Sequence, residues 1–379
     1  MIKKKLSKIG SIFLYAIDKF VPKDDSLYLF AIGKNHYFSG NLKAFYNYCS
    51  SKGKNTKVFS YKKDSTHIYV RTFQAVWLLL RAGVIVVQYK HRDFYWGGIT
   101  NRKRIIINLW HSTTIKGFYF TNPTKLKNEK KVIRESKNTD FVISSTRIDK
   151  LAMAASFYMP FEKVKNTGLP RNDILVQDSA SLAPDLQVQN MEMQKLKAGK
   201  RLILYAPTFR DGGDGIFDFT QQQIETLTEL LRLNDYVFAI RAHPGKNRIG
   251  GKSNIIYIDS QSIPETQMVL KNTDILISDY SGIWVDFLLL NKPLIGFFYD
   301  IREYEKSSAP LLYDLSHMFP GEIAYSFAEL VDCVKDAFGL FSSDTVSQRQ
   351  RVNKNIFAIY NSSFSFRVLK EIEDIQRNK

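Results

Sequence analysis

Short apolar runs alternate with helix-length stretches along the whole of this 379-residue chain. No other feature narrows its fold so far. A continuous apolar run of four to eight residues suits a strand covered on both faces. Strand–helix–strand repetition lays such strands side by side and parallel. The first half predicts strands at 26–32, 57–61, 84–89, 104–109, 141–145 and 164–168, with helices at 41–52, 65–82, 127–138 and 147–157. The second half predicts strands at 201–206, 236–241, 254–258, 274–278 and 293–298. Its helices are expected at 221–233, 264–272, 282–291 and 326–338, with two more within 344–378.

The expected fold class is α/β: two doubly wound parallel-sheet domains, since 379 residues exceed one ordinary core. The polar stretch 177–200 interrupts the alternation and reads as a linker with a short helix. The expected division is 1–21, an N-terminal helix; 22–176, a first domain; 177–200, the linker; 201–343, a second domain; and 344–379, helices that cross back to the first.

Charge is unevenly spread. Residues 1–200 hold 35 Lys and Arg against 14 Asp and Glu, and residues 201–379 hold 19 against 23. The whole net charge of +17 therefore originates in the first half, which should face something anionic. Within 1–21, Ile2, Leu6, Ile9, Phe13, Ile17 and Phe20 recur at helical spacing, opposite Lys3, Lys4, Lys5, Lys8 and Lys19. That is the pattern of a basic amphipathic helix lying on an anionic membrane surface; packing on its own domain is the competing reading. No apolar run approaches the ~20 residues that span a bilayer, and no secretory signal is expected. Cys49 and Cys333, far apart and within expected helices, point to a reduced cytoplasmic setting without disulfides.

Four expected strands end in polar, reactive residues: Trp110-His111-Ser112-Thr113, Pro207-Thr208-Phe209-Arg210-Asp211, Arg241-Ala242-His243-Pro244 and Asp279-Tyr280-Ser281-Gly282. Ligands of open α/β sheets bind outside the carboxyl ends of strands, so four such ends predict a binding cleft. Ser281 stands where a helix N-cap would, and the first-turn N–H groups beyond it would suit phosphate.

These segments, in this order, resemble the CDP-glycerol glycerophosphotransferases of bacterial teichoic-acid and capsule synthesis. The likeness extends through Gly168-Leu169-Pro170-Arg171-Asn172-Asp173, Asn291-Lys292-Pro293, Phe298-Tyr299-Asp300 and Phe319-Pro320-Gly321, with a weaker echo at Tyr37-Phe38-Ser39-Gly40-Asn41. Two of the segments depart from it. The family usually has Trp-His-Gly-Thr-Pro where this chain has Trp110-His111-Ser112-Thr113-Thr114, and Asp-Tyr-Ser-Ser where it has Asp279-Tyr280-Ser281-Gly282.

The resemblance implies a GT-B-like layout, with a CDP-polyol donor on the second domain and the acceptor on the first. An acceptor hydroxyl attacks the phosphorus bearing the polyol, and CMP leaves. His111 would take the hydroxyl proton. His243 would bind phosphate or protonate the leaving group. Thr208, Arg210, Asp279, Ser281, Gly282 and Asp286 would form the donor side. Arg210 could fork onto phosphate oxygens or pair with Asp211, and Asp286 could reach ribose or stay solvated. Ser112, Thr113 and Lys116 would stand on the acceptor side, and Arg171, Asn172 and Asp173 would serve as hinge and packing. The expected acceptor is an undecaprenyl-linked or polymeric glycan, met at the inner face of the cell membrane.

No Asp-x-Asp ends a strand and no His, Asp or Glu cluster has ligand spacing, so no metal is expected. No cofactor is expected either: glycine loops for ATP or NAD are absent. Three other readings stay open: a CDP-ribitol transferase, a GT-B sugar transferase, and a basic nucleic-acid-binding protein. The last lacks any recognisable nucleic-acid motif, and nucleic acid is not an expected partner.

Overall fold

The computed structural model describes residues 14–34, 36–89, 100, 103–208, 210, 217, 219–241, 255–307, 309–339 and 363–378. They group into two units, and the chain passes between them more than once. The first comprises 1–112, 123–173 and 362–379; the second comprises 113–122 and 174–361.

In the first unit, β1 (Asp24–Ala31), β2 (Asn55–Ser60), β3 (Ile68–Tyr69), β4 (Ala82–Val87), β5 (Ile105–Asn108), β6 (Phe141–Ile143) and β7 (Val164–Lys165) form one sheet in the order β3-β2-β1-β4-β5-β6-β7. Every pairing is parallel. The direction of winding reverses between β1 and β4. Side chains alternate faces as the pleat demands. Tyr28, Phe30, Val84, Val86, Ile105 and Ile107 serve one core, while Leu27, Leu29, Ile85, Val87 and Ile106 serve the other.

In the second unit, β8 (Arg201–Ala206), β9 (Tyr236–Ile240), β10 (Ile255–Tyr257), β11 (Ile275–Ser278), β12 (Leu294–Phe297) and β13 (Glu322–Ala324) follow the order β10-β9-β8-β11-β12-β13, again all parallel. Reversal falls between β8 and β11. Both units are therefore doubly wound, with a switch point apiece.

Three regions differ from the sequence reading. Segment 177–200 is no linker. Its helix Pro184–Lys197 buries Leu186 and Met193 in the second unit's core, and Gln194 donates to Asn272 at 2.6 Å. The polar composition misleads because the helix shows only one narrow stripe to the protein. Secondly, residues 14–21 are not a detached surface helix. Residues 14–18 are helical, and Leu14 and Val21 pack on the first unit. Asp18 is buried and accepts from Arg104 and from Lys23 (2.9 Å). Residues 1–13 lie outside the described residues. Lastly, the expected helix 65–82 is a strand, β3, followed by the shorter helix Phe73–Arg81, capped by Thr72 Oγ1 accepting from Ala75 N at 3.1 Å.

The helix Phe364–Arg377 belongs to the first unit. Val368, Leu369 and Ile372 join Phe45 and Cys49 in its core. Asp173 accepts from Phe364 N (2.8 Å) and Ser365 N (2.9 Å), capping the helix from 191 residues away. Burial raises the Asp173 carboxyl above the ordinary carboxylate range, against the pull of those two N–H groups. Gly168 has φ +74°, and a Cβ there would lie 2.3 Å from the Phe364 ring. Only glycine meets both conditions.

Candidate active site

At the end of β5 in the first unit the chain turns sharply. Trp110 adopts φ +46°, a left-handed conformation that costs a non-glycine residue on the order of 1–3 kcal/mol unless its surroundings enforce it. Here they do. Asn108 Oδ1 accepts from Trp110 N at 2.8 Å. Buried Asn41 donates to the carbonyls of Leu109 (3.0 Å) and Trp110 (2.9 Å). Asn41 also accepts from Arg171 N at 3.2 Å, and Arg171 Nη1 donates to the His111 carbonyl. The turn that carries His111 is thus clamped by two residues distant in sequence.

The imidazole sits among rings. Tyr89 stacks on His111 with centroids 4.8 Å apart, and His36 stacks on Tyr89 at 3.7 Å. Trp110 lies 4.4 Å from His111 on another side. His36 follows β1 and Tyr89 follows β4, so this ring column marks the first switch point.

In the second unit the ends of β8 and β11 meet over Asp279, which is fully buried. Its carboxylate accepts from Thr208 N (2.9 Å), Thr208 Oγ1 (2.6 Å) and Arg210 Nη1 (2.9 Å). Arg210 spends the rest of its fork on Asp300, with Nε to Oδ2 at 2.7 Å and Nη2 to Oδ1 at 2.9 Å. Tyr280 also donates to Asp300, at 3.0 Å, and stacks on Tyr304 at 4.2 Å. Burial works against the Arg210 charge, but Asp300 and Asp279 outweigh it and raise the guanidinium above its ordinary value. Burial, then Asp300, raises the Tyr280 phenol. Arg210 is therefore held between two carboxylates, buried Asp279 and half-buried Asp300, and does not point an open fork at phosphate.

Other site residues fall as follows. Gly282, not Ser281, occupies the N-cap position of the helix Ile283–Phe287, and Ser281 Oγ accepts from Ile283 N at a long 3.4 Å. That helix is five residues long and continues as a 3₁₀ turn, so its dipole is small. Asp286 is not solvated: it is buried in that helix and accepts from Gln267 Nε2 at 3.1 Å.

Thr113 and Lys116 lie in the second unit. Lys116 bridges to Leu311, and its Nζ stands 5.7 Å from the Tyr304 ring centroid. A Cβ on Gly282 would lie 2.6 Å from the Thr113 carbonyl oxygen. Ser112, immediately before Thr113, groups with the first unit. Arg241, at the end of β9, donates through N to Tyr205 O (2.9 Å) and through Nη2 to Ile263 O (3.1 Å). Burial lowers its pKa to about 10, against the opposing pull of Glu265 and Asp259. His243 and Asp211 lie outside the described residues. Among the described residues no cluster of three or more His, Cys, Asp or Glu side chains is arranged to hold a metal ion.

Sequence reasoning assigns no site role to Asn41, Asp300, His36 or Tyr89, and reads Arg171 as hinge and packing. Asn41, Arg171 and Asp300 do stand within the short segments that carry the family likeness, so the signal is present without a role attached.

Two doubly wound parallel sheets with polar strand ends gathered at each reversal are the architecture of GT-B-like group transferases. The chain belongs to the CDP-glycerol:poly(glycerophosphate) glycerophosphotransferase family, whose model matches residues 13–374. It is 26% identical to a teichoic acid glycerol-phosphate transferase of Staphylococcus aureus, over 88% of this chain and 90% of that protein. It is 29% identical to the ribitol-phosphate polymerase TarL of the same species, over 82% of this chain but 57% of that one. The wall teichoic acid polymerase TagF has the same fold, with a TM-score of 0.75 at 20% identity, covering 100% of this chain and 98% of that one.

Proposed function

We propose that this enzyme transfers glycerol phosphate from CDP-glycerol to a hydroxyl of a lipid-linked or polymeric teichoic-acid or capsule acceptor, with release of CMP. The family match over residues 13–374 carries the reading. In the proposed chemistry His111 removes the acceptor hydroxyl proton as the oxygen attacks the phosphorus bearing glycerol. The bond from that phosphorus to the bridging oxygen breaks, and CMP carries away the electron pair. The hold of Asn41 on the Trp110 carbonyl and of Arg171 on the His111 carbonyl supports a group that must be kept in place. On the donor side, the Thr208–Asp279–Arg210–Asp300 cluster acts as a rigid frame for the β8 and β11 loops. Direct contact with the pyrophosphate falls to backbone N–H groups near Ser281 and to His243.

Such an acceptor would be met at the cytoplasmic face of the membrane. Attachment there would be peripheral, aided by the basic first half. No described helix is long and apolar enough to cross a bilayer. A CDP-ribitol donor is the second reading, favoured by the likeness to TarL.

Purified enzyme with an acceptor-bearing membrane fraction should release CMP from CDP-glycerol. Release from CDP-ribitol alone would transfer the assignment to the second reading. Release of UDP from a UDP-sugar, without CMP from either donor, would sink both.

A further inference from the structure

We propose that Tyr89 is a positioning residue for the transfer: its ring sets the plane of the His111 imidazole and steadies the positive charge that the imidazole gains with the acceptor's proton. This rests on the role of His111 proposed above and adds the group that orients it.

Hydrogen bonds from Asn108, Asn41 and Arg171 fix the backbone around His111. Two torsions still separate that backbone from the ring, and the second of them has a broad well. A base must meet its proton within hydrogen-bond reach and in line, so a ring that turns freely wastes most of its orientations. Packing narrows the choice. Trp110, buried and 5.2 Å from the Phe157 ring, lies 4.4 Å from the imidazole at 44°. Tyr89 lies 4.8 Å from it at 30°, a stacked arrangement.

Tyr89 is itself held. Strands β4 and β5 pair with Val87 opposite Asn108, so the residues that follow them leave the sheet side by side. Asn108 joins the two exits. Its Nδ2 donates to the Tyr89 carbonyl at 3.3 Å, while its Oδ1 accepts from Trp110 N. His36, which follows β1, stacks on Tyr89 at 3.7 Å and 14°. Two rings packed so close cannot share one face of a third, so the phenol ring is held between two imidazoles. His36 is exposed and Tyr89 half-buried, which makes His36 the outer member of the column.

The stack also suits the chemistry. An aromatic face carries negative charge density and attracts a cation more strongly than a neutral ring. His111 must be neutral before it takes the proton and is cationic afterwards. Its attraction to Tyr89 therefore grows toward the transition state, which raises kcat without tightening substrate binding.

The test measures CMP release from CDP-glycerol by the full chain with an acceptor-bearing membrane fraction. Tyr89→Leu should lower kcat by roughly tenfold, with KM for donor and acceptor, CDP affinity and thermal midpoint kept. Tyr89→Phe keeps the ring face and should stay near wild type. In a His111→Ala background Tyr89→Leu should cost nothing further, because its effect passes through His111. Labelled histidine gives a readout apart from activity. The ring-proton resonance that His111→Ala removes should stand upfield in wild type and Tyr89→Phe, and move downfield in Tyr89→Leu. Equal losses of turnover in Tyr89→Phe and Tyr89→Leu would assign the effect to the hydroxyl and overturn the proposal. So would an unchanged kcat in Tyr89→Leu, a raised KM in its place, or an equal further loss in the His111→Ala background. Near-normal turnover of His111→Ala would sink the base itself, and the proposal with it, whatever the resonance shows.

Discussion

At the scale of single residues, one backbone approach governs the donor turn. Gly282 has no room for a side chain, because the Thr113 carbonyl stands where the first carbon would go. The family pattern places serine at this position, and the Thr113 that it meets is flanked by Ser112 and Thr114, which stand where the pattern has glycine and proline. Gly282→Ser should force the Thr113 segment off its seat. A loss of about 1–3 kcal/mol is expected, as for overpacking elsewhere. Turnover should fall more than CDP affinity does, which CMP-release kinetics beside calorimetry would reveal. Equal affinity and equal turnover would mean that the turn adapts freely. His111→Ala should cut CMP release by ~10²–10⁴ while CDP still binds, because the proton it takes belongs to the acceptor. Near-normal turnover would leave His111 a structural residue. Asp279→Ala removes one of two carboxylates from a half-buried guanidinium and strips Thr208 of its acceptor. Breaking such a pair typically costs about 3–5 kcal/mol, so the thermal midpoint should fall by several degrees. An unchanged midpoint would show that Asp300 alone suffices.

At the scale of elements, the parallel sheets are legible in the sequence because each central strand is an unbroken apolar run such as Ala82–Val87 or Leu202–Ala206. What escapes is short or shielded. β3 spans two residues and β13 three, too few for any period to emerge. The helix Pro184–Lys197 is polar on most of its surface and reads as linker. His111, Thr208 and Asp279 can be picked out, since each ends a strand. The roles of Asn41, Arg171 and Asp300 cannot, because each acts on a partner 68, 130 or 90 residues away. Such partnerships are made by topology, which local pattern does not encode.

The N-terminal segment offers a test at this scale. Deleting residues 1–21 would remove Asp18 and leave buried Arg104 without its carboxylate. That truncation should lower the melting temperature. Deleting only 1–13 should leave it intact and weaken vesicle binding. Identical melting of the two truncations would show that Asp18 contributes nothing to the first unit.

At the scale of the molecule, neither unit is a continuous length of chain. A chain cut after residue 176 would expose the surface that Val368, Leu369 and Ile372 cover, and should aggregate. Supplying a peptide of residues 363–379 should restore solubility; failure to do so would mean that the helix is dispensable. The same discontinuity imposes an order on the living cell. As the protein leaves the ribosome, Asp173 emerges 191 residues before the helix it will cap. At ~5–20 residues per second that interval is roughly 10–40 s. Throughout it the first sheet stands open on one side while the second unit, continuous from 174 apart from one borrowed segment, is already being made. The half that appears first is finished last, and a chaperone that recognises bare apolar sheet has that window in which to act.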